Sequence, residues 1–78
     1  MKVRLLLHWG LERCRPGFPA EGLNLILSKG ASVNELLEQQ GIPLGAIGII
    51  VVNGSMTNRN HLLQDLDEVE LYPLLDGG

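Results

Sequence analysis

Alternating apolar and polar residues predict two strands in the first third of the chain. Over residues 2–9, one side of the predicted strand is apolar and comprises Val3, Leu5, Leu7 and Trp9. Such a period of two indicates a strand with one face in the core. The same alternation predicts a second strand through Leu23, Leu25 and Leu27. Residues 10–22 are irregular and interrupted by Pro16 and Pro19, so they predict a loop that joins the two strands into an antiparallel hairpin.

A capping box marks the start of a predicted helix. The Ser32 hydroxyl can accept a hydrogen bond from the backbone N–H of Glu35, whose carboxylate can reach back to the N–H of Ser32. The apolar residues that follow have helical spacing: Val33, Leu36 and Leu37. Gly41 suits the left-handed position after a helix, and Pro43 forbids continuation. We therefore predict a helix of about two to three turns, which must lie on the sheet because it is marginal alone.

The second half of the chain predicts further strands separated by turns. Residues 47–52 are rich in β-branched side chains and lead into Asn53-Gly54, a pair typical of tight hairpin turns. The polar residues 55–60 predict a short strand or a turn. After an acidic turn, residues 68–72 alternate acidic and apolar side chains and predict a last strand, which ends at Pro73.

Together these elements predict one α+β domain, a mixed sheet of about four to five strands with one helix packed across it. We expect the helical crossover to leave the outer strands partly parallel to their neighbours. A chain of 78 residues is too short for a second domain. The predicted domain spans residues 1–73, and residues 74–78 form a predicted flexible C-terminal tail.

Composition and charge exclude several classes of function. A hydrophobic fraction of 45% with 19% charged residues indicates a folded globular protein. The net charge of −3 argues against binding to nucleic acid, which favours basic surfaces. No stretch approaches the roughly 20 apolar residues of a membrane helix, and the apolar run at residues 5–7 is too short for a signal peptide. We therefore expect a cytoplasmic protein with no membrane partner.

Side chains with catalytic or metal-binding chemistry are scattered along the sequence. His8 and His61 have no cysteine or carboxylate at ligand spacing, and we expect no metal site. Cys14 lacks a partner for a disulfide or a C-x-x-C motif. A role in sulfur handling is one interpretation of Cys14, and an incidental surface cysteine is the more frequent case. The acidic residues of the stretch 65–70 fit a turn and a solvated strand better than a metal site.

The last third of the chain resembles the β-grasp, ubiquitin-like sulfur carriers. The residues behind this resemblance are Val52-Asn53-Gly54, the stretch DLDEVELYP at 65–73, and the final Gly77-Gly78. They look like the corresponding stretches of the small subunit of molybdopterin synthase (MoaD) and of the thiamin-pathway carrier (ThiS). Those families commonly have VNG, then a DGDEV turn and strand, then GG. Leu66 stands where they usually have Gly, and the resemblance is closer to the molybdopterin synthase subunit.

The resemblance implies a protein that is a substrate for other enzymes and is not itself an enzyme. A partner similar to ubiquitin-activating enzymes would use ATP to adenylate the carboxyl group of Gly78. Sulfur from a persulfide would then displace AMP and leave a thiocarboxylate. The large subunit of molybdopterin synthase, or thiazole synthase as the second choice, would receive the sulfur for cofactor synthesis. Gly77 has no Cβ and would let the tail enter a narrow active site. No cofactor would be bound to the chain itself.

Partner docking is predicted on the sheet face opposite the helix. If Val3, Ile49 and Val51 face the core, an apolar strip remains on the other face. The predicted docking residues are Leu6, Ile50, Val52, Tyr72 and Pro73.

Two other functions fit the same sequence. In one, the chain is a ubiquitin-like modifier whose activated Gly78 forms an isopeptide bond with a lysine. In the other, it is a regulatory or ligand-binding β-grasp module in which the final glycines are incidental.

Overall fold

The computed structural model describes residues 1–75, which form a five-stranded sheet with one α-helix packed against it. The elements are β1 (Lys2–Leu7), β2 (Leu23–Ile26), α1 (Val33–Gln40), β3 (Ile47–Val52), β4 (Ser55–Thr57) and β5 (Glu68–Pro73). Short 3-10 helices span Leu11–Cys14 and Leu44–Ala46. The predicted α+β fold, a mixed sheet with one helix across it, is confirmed.

The strands lie in the order β2-β1-β5-β3-β4. The central strand, β5, is parallel to β1 and antiparallel to β3, and the outer strands β2 and β4 are each antiparallel to their neighbour. The expectation that the outer strands would be partly parallel is therefore wrong. Each outer strand directly follows its neighbour along the chain, and such a direct connection produces antiparallel pairing. The long crossover through α1 instead separates the two hairpins and allows β5 to enter the centre beside β1.

Helix α1 begins and ends as its sequence predicts. The Ser32 hydroxyl accepts a hydrogen bond from the Glu35 backbone N–H at 3.2 Å, whereas the predicted return bond from the Ser32 N–H to the Glu35 carboxylate is not formed. Gly41 adopts a φ of 68°, and the backbone N–H of Ile42 donates to the Leu37 carbonyl at 3.0 Å. This contact satisfies one of the last carbonyls of the helix. The apolar stripe is buried in the core and consists of Val33, Leu36 and Leu37.

The two faces of β3 are opposite to the prediction. Ile50 and Val52 are 7% and 6% exposed and face the core, where they pair in register with Leu71 and Val69 of β5. The prediction that they belong to an exposed docking strip is wrong. Every second residue of a strand shares a face, but residues 47–52 offer apolar side chains on both. A register shift at Gly48 also breaks the count from the start of the strand.

Strand β1 ends earlier than its alternation predicts. Trp9 adopts a φ of 55° and Gly10 a φ of 87°, so the chain turns sharply and leaves Trp9 64% exposed instead of in the core. The following 3-10 helix, Leu11–Cys14, lies inside the segment predicted as a loop. Its Leu11 side chain is fully buried and takes the place in the core predicted for the tryptophan.

The acidic turn before β5 is a structural element. Buried Asp67 accepts hydrogen bonds from the Asn53 side-chain amide and from the Gln64 backbone N–H, both at 2.8 Å. The Asn53 side-chain oxygen in turn accepts from the backbone N–H of Glu68 at 2.9 Å. Leu66, where the resembling families usually have Gly, adopts a φ of 70°. The turn therefore keeps a glycine-like backbone despite the leucine.

Candidate functional site

The chain leaves the sheet after strand β5, and we call the residues at this point, Pro73 and Leu74, the exit. Backbone contacts hold the exit in place. The backbone N–H of Leu74 donates to the carbonyl of Ala46 at 2.8 Å, one residue beyond the end of the strand. Gly48 packs closely against Pro73, because a Cβ at residue 48 would lie 2.7 Å from the Pro73 carbonyl oxygen. Close backbone packing therefore determines where the chain leaves the sheet. The predicted reactive residues, Gly77 and Gly78, lie outside the described residues.

An aromatic cluster stands on the open face of the sheet beside this exit. The Tyr72 ring stacks on the His8 ring, with centroids 4.7 Å apart and an interplanar angle of 20°. The Trp9 ring contacts Tyr72 edge-on at 4.8 Å. Tyr72 faces away from the core because its neighbour Leu71 faces the helix. The turn that removes Trp9 from the core thus places its ring at the exit.

The aromatic cluster is connected to a hydrogen-bonded pair, His8 and Glu70, on the same face. The His8 Nε2 lies 2.8 Å from a carboxylate oxygen of Glu70, and both side chains are partly exposed. The backbone N–H of His8 also donates to the Leu71 carbonyl at 2.9 Å, which extends the contact between the two strands beyond β1. These bonds hold the His8 ring against Tyr72 and orient one side of the cluster.

Apolar side chains surround Glu70 across the sheet. Leu6 of β1 and Val51 of β3 pair in register with Glu70, and Met56 of β4 pairs with Val51. Met56 is 74% exposed. We call this surface the open-face patch, and its members are Leu6, Trp9, Ile49, Val51, Met56 and Tyr72. Trp9 and Met56 are exposed, and the other four members are partly buried. A partly exposed apolar surface with a polar centre is typical of a protein interaction site.

The open-face patch differs in part from the predicted docking residues. The structure brings Leu6 and Tyr72 together on the open face, and Pro73 follows at the exit. It places Ile50 and Val52 in the core instead. Sequence reasoning missed Trp9 and Met56, and it assigned Ile49 and Val51 to the core, whereas they lie on the open face. Met56 could have been found from the Asn53-Gly54 turn. A two-residue turn pairs Val52 with Ser55 and therefore Val51 with Met56, which places these two side chains on the same face.

A shallow pocket lies beside the exit and adjoins the open-face patch at Trp9. Residues 9–14 form one wall, and Gly45, Ala46, Pro73 and Leu74 form the other. The exposed Cys14 belongs to this wall. His61 lies elsewhere, before Leu62, which bridges Ser32. In residues 1–75, no group of three or more His, Cys, Asp or Glu side chains is placed to hold a metal ion.

Known proteins show the same architecture. A family model described as Mut7-C ubiquitin matches residues 17–77. No curated protein matches the sequence. A putative molybdopterin converting factor, subunit 1, from Pyrococcus furiosus superimposes with a TM-score of 0.74 at 20% identity, covering 96% of this chain and 99% of that one.

Two structures from Haloferax volcanii are also similar. The crystal structure of SAMP1 gives a TM-score of 0.73 at 15% identity and covers 100% of both chains. A crystal structure of small archaeal modifier protein 1 gives 0.69 at 12% identity, covering 95% of this chain and 98% of that one. At identities this low, the structural similarity establishes the fold alone. The predicted ubiquitin-like β-grasp architecture is confirmed. No helix in residues 1–75 has the length and apolar character needed to cross a membrane.

Proposed function

The chain belongs to the Mut7-C ubiquitin family, and on that premise we propose that it is a ubiquitin-like sulfur carrier activated at the carboxyl group of Gly78. The chain itself supplies no catalytic side chain to this chemistry. It supplies a thin Gly77-Gly78 end and a surface that positions this end in the active site of a partner. It acts as a protein substrate.

The chemistry follows from the poor reactivity of a carboxylate. An α-carboxyl group titrates at about 3.3–3.7 and is ionised at neutral pH, so it resists attack by a nucleophile. In the proposed first step, a Gly78 carboxylate oxygen attacks the α-phosphorus of ATP, and pyrophosphate leaves. A persulfide sulfur then attacks the acyl carbon and AMP leaves. A thiol reduces the resulting acyl disulfide, which releases the thiocarboxylate and forms a disulfide on the donor.

The observation that most supports this proposal is the exit of the C-terminal segment beside an apolar docking surface. Leu74 is fixed to Ala46, and Tyr72, the centre of the aromatic cluster, lies two residues before it. A partner that binds the open-face patch would therefore hold the start of the segment at a defined place. The two glycines would then reach forward into its active site with little steric hindrance.

The activating partner is proposed to be an adenylyltransferase similar to ubiquitin-activating enzymes. Its docking surface should be apolar at Leu6 and Tyr72 and should carry a hydrogen-bond donor or a cation for Glu70. Variants Leu6→Ala and Tyr72→Ala should weaken this association by about tenfold each, the effect of about 1.4 kcal/mol. Leu62→Ala is the matched control, because Leu62 is an exposed leucine outside the patch.

We propose that the large subunit of molybdopterin synthase receives the sulfur, with thiazole synthase as the second choice. The similarity to the Pyrococcus protein, a putative molybdopterin converting factor subunit, supports this order. The similarity to the Haloferax modifier protein supports a second function for this fold, the modification of proteins through an isopeptide bond. Both functions begin with the same adenylate at Gly78.

ATP–pyrophosphate exchange tests the shared first step. The protein and the activating enzyme from its native host should exchange label from pyrophosphate into ATP, and deletion of Gly78 should abolish the exchange. An unchanged exchange rate after that deletion would overturn the proposal and favour a regulatory module. Gel analysis separates the two later fates: higher-mass conjugates that depend on Gly78 would indicate the modifier instead of the carrier.

A further inference from the structure

Strand β2 has a free edge whose hydrogen-bonding groups can be assigned. Met1 and Leu27 exchange both backbone hydrogen bonds, each at 2.8 Å. In an antiparallel pair such exchanging positions recur at every second residue. Leu25, which pairs with Val3, therefore also points its N–H and carbonyl toward β1. The backbone groups of Asn24 and Ile26 point the other way, toward the outer edge.

Apart from its short length of four residues, this edge lacks the features that usually prevent pairing with another chain. Strand β2 reads Leu-Asn-Leu-Ile and contains no charge, no proline and no bulge. Within residues 1–75, no turn, loop or cap backbone hydrogen bond involves Asn24 or Ile26. Ile26 is 74% exposed, although β-branched apolar side chains favour a paired strand. The edge is therefore competent to accept another strand.

The charges at the two ends of β2 select the partner. Glu21 precedes the strand and Lys29 follows it, and both are exposed. In an antiparallel pairing centred on Leu25, Asn24 of one copy exchanges bonds with Ile26 of the other. Antiparallel pairing also brings the end of β2 that follows Glu21 in one copy near the end that precedes Lys29 in the other. A parallel pairing would instead bring like charges together.

We propose that β2 pairs with β2 of a second copy of this chain, antiparallel and centred on Leu25, to form a two-fold symmetric dimer with a continuous sheet. A symmetric pairing of this kind requires a self-complementary surface. The free edge of β2 meets this requirement, with an acidic residue, Glu21, before the strand and a basic residue, Lys29, after it. Around an axis perpendicular to the sheet, both open-face patches lie on the same side of the joined sheet. The patch and the chain exit both stay free, so the dimer would present two docking surfaces.

Sedimentation velocity on the full chain, from about 10 µM to about 1 mM, tests the dimer, because a short strand pairing gives a small, weak interface. The wild type should form dimers in this range. Glu21→Lys should raise the dissociation constant by about tenfold, since attraction becomes repulsion at both ends. Lys29→Glu should do the same. The double variant Glu21→Lys with Lys29→Glu should restore dimerisation.

Two further measurements locate the interface. Ile26→Pro removes an outward N–H and leaves the bonds between β1 and β2 in place, so it should prevent dimerisation while the melting curve shows a folded protein. In NMR spectra, the amide signals of Asn24 and Ile26 should shift more with concentration than that of Leu25. A monomer at every concentration would overturn the proposal. A dimer whose dissociation constant is unchanged by the charge reversals and by Ile26→Pro would also overturn it.

Discussion

Replacing Gly48 with alanine tests whether backbone packing fixes the exit of the C-terminal segment. An ideal Cβ at Gly48 would lie 2.7 Å from the Pro73 carbonyl oxygen and 2.9 Å from the Leu74 Cα. Both are backbone atoms, so no rotation of a side chain relieves the overlap. Strand β3 and the exit must therefore separate, and the hydrogen bond from Leu74 to Ala46 is the first contact at risk.

The expected loss of stability for Gly48→Ala is about 2 kcal/mol. Overpacking costs about 1–3 kcal/mol, and the lost hydrogen bond costs about 0.5–1.5 kcal/mol. Gly48 does not have a positive φ, so alanine also restricts the unfolded chain, which offsets about 0.4–1 kcal/mol. For a domain of this size, the net loss lowers the melting temperature by about 8–16 °C.

Gly45→Ala is the matched control, and its effect should have the opposite sign. Gly45 has no positive φ, and no atom lies within 4 Å of a Cβ placed there. The alanine should therefore raise the free energy of unfolding by about 0.4–1 kcal/mol. Urea denaturation measures both variants, and hydrogen exchange reports on the Leu74 amide. Equal stability of the two variants, with an equally protected Leu74 amide, would refute the reasoning.

The remaining predictions concern the acidic turn and the register of β3. Leu66→Gly should raise the free energy of unfolding by about 0.5–1 kcal/mol, measured in a thermal melt. The left-handed conformation costs leucine about 1–2 kcal/mol, and the greater flexibility of glycine in the unfolded chain cancels part of that gain. Asp67→Ala should cost about 1–3 kcal/mol in urea denaturation, because it removes the acceptor of two part-buried hydrogen bonds, from the Asn53 amide and the Gln64 backbone N–H. Ile50→Ala should cost about 2–5 kcal/mol, and Ile49→Ala clearly less. Similar costs for both isoleucines would contradict the observed register.

Local sequence signals predicted the elements whose ends are set by single residues. Ser32, Glu35 and Gly41 specify helix α1 through capping geometry, which depends on neighbours a few residues away. Asn53-Gly54 likewise specifies the hairpin of β3 and β4, with both residues at positive φ. Predictions of this kind needed no knowledge of the rest of the fold.

The errors arose where distant contacts determine the structure. Residues 47–52 are apolar on both faces, so only the pairing with β5 decides that Ile50 faces the core. The alternation of β1 could not reveal that Trp9 turns out, because buried Leu11 takes its place in the core. The inverted faces of β3 also removed two of the five residues from the predicted docking strip. Leu6 and Tyr72 lie on the open face as predicted, because the residues before them alternate clearly between apolar and polar side chains.

Mass spectrometry of the protein from its native host tests the central claim most directly. Two samples are measured: the protein as purified from its host, and the protein after incubation with ATP, a persulfide donor and the activating enzyme. We expect the intact mass to rise by the difference between one sulfur and one oxygen atom, and fragmentation to assign the exchange to Gly78. An unchanged mass in both samples, or a whole added sulfur atom located on Cys14, would contradict the proposed thiocarboxylate.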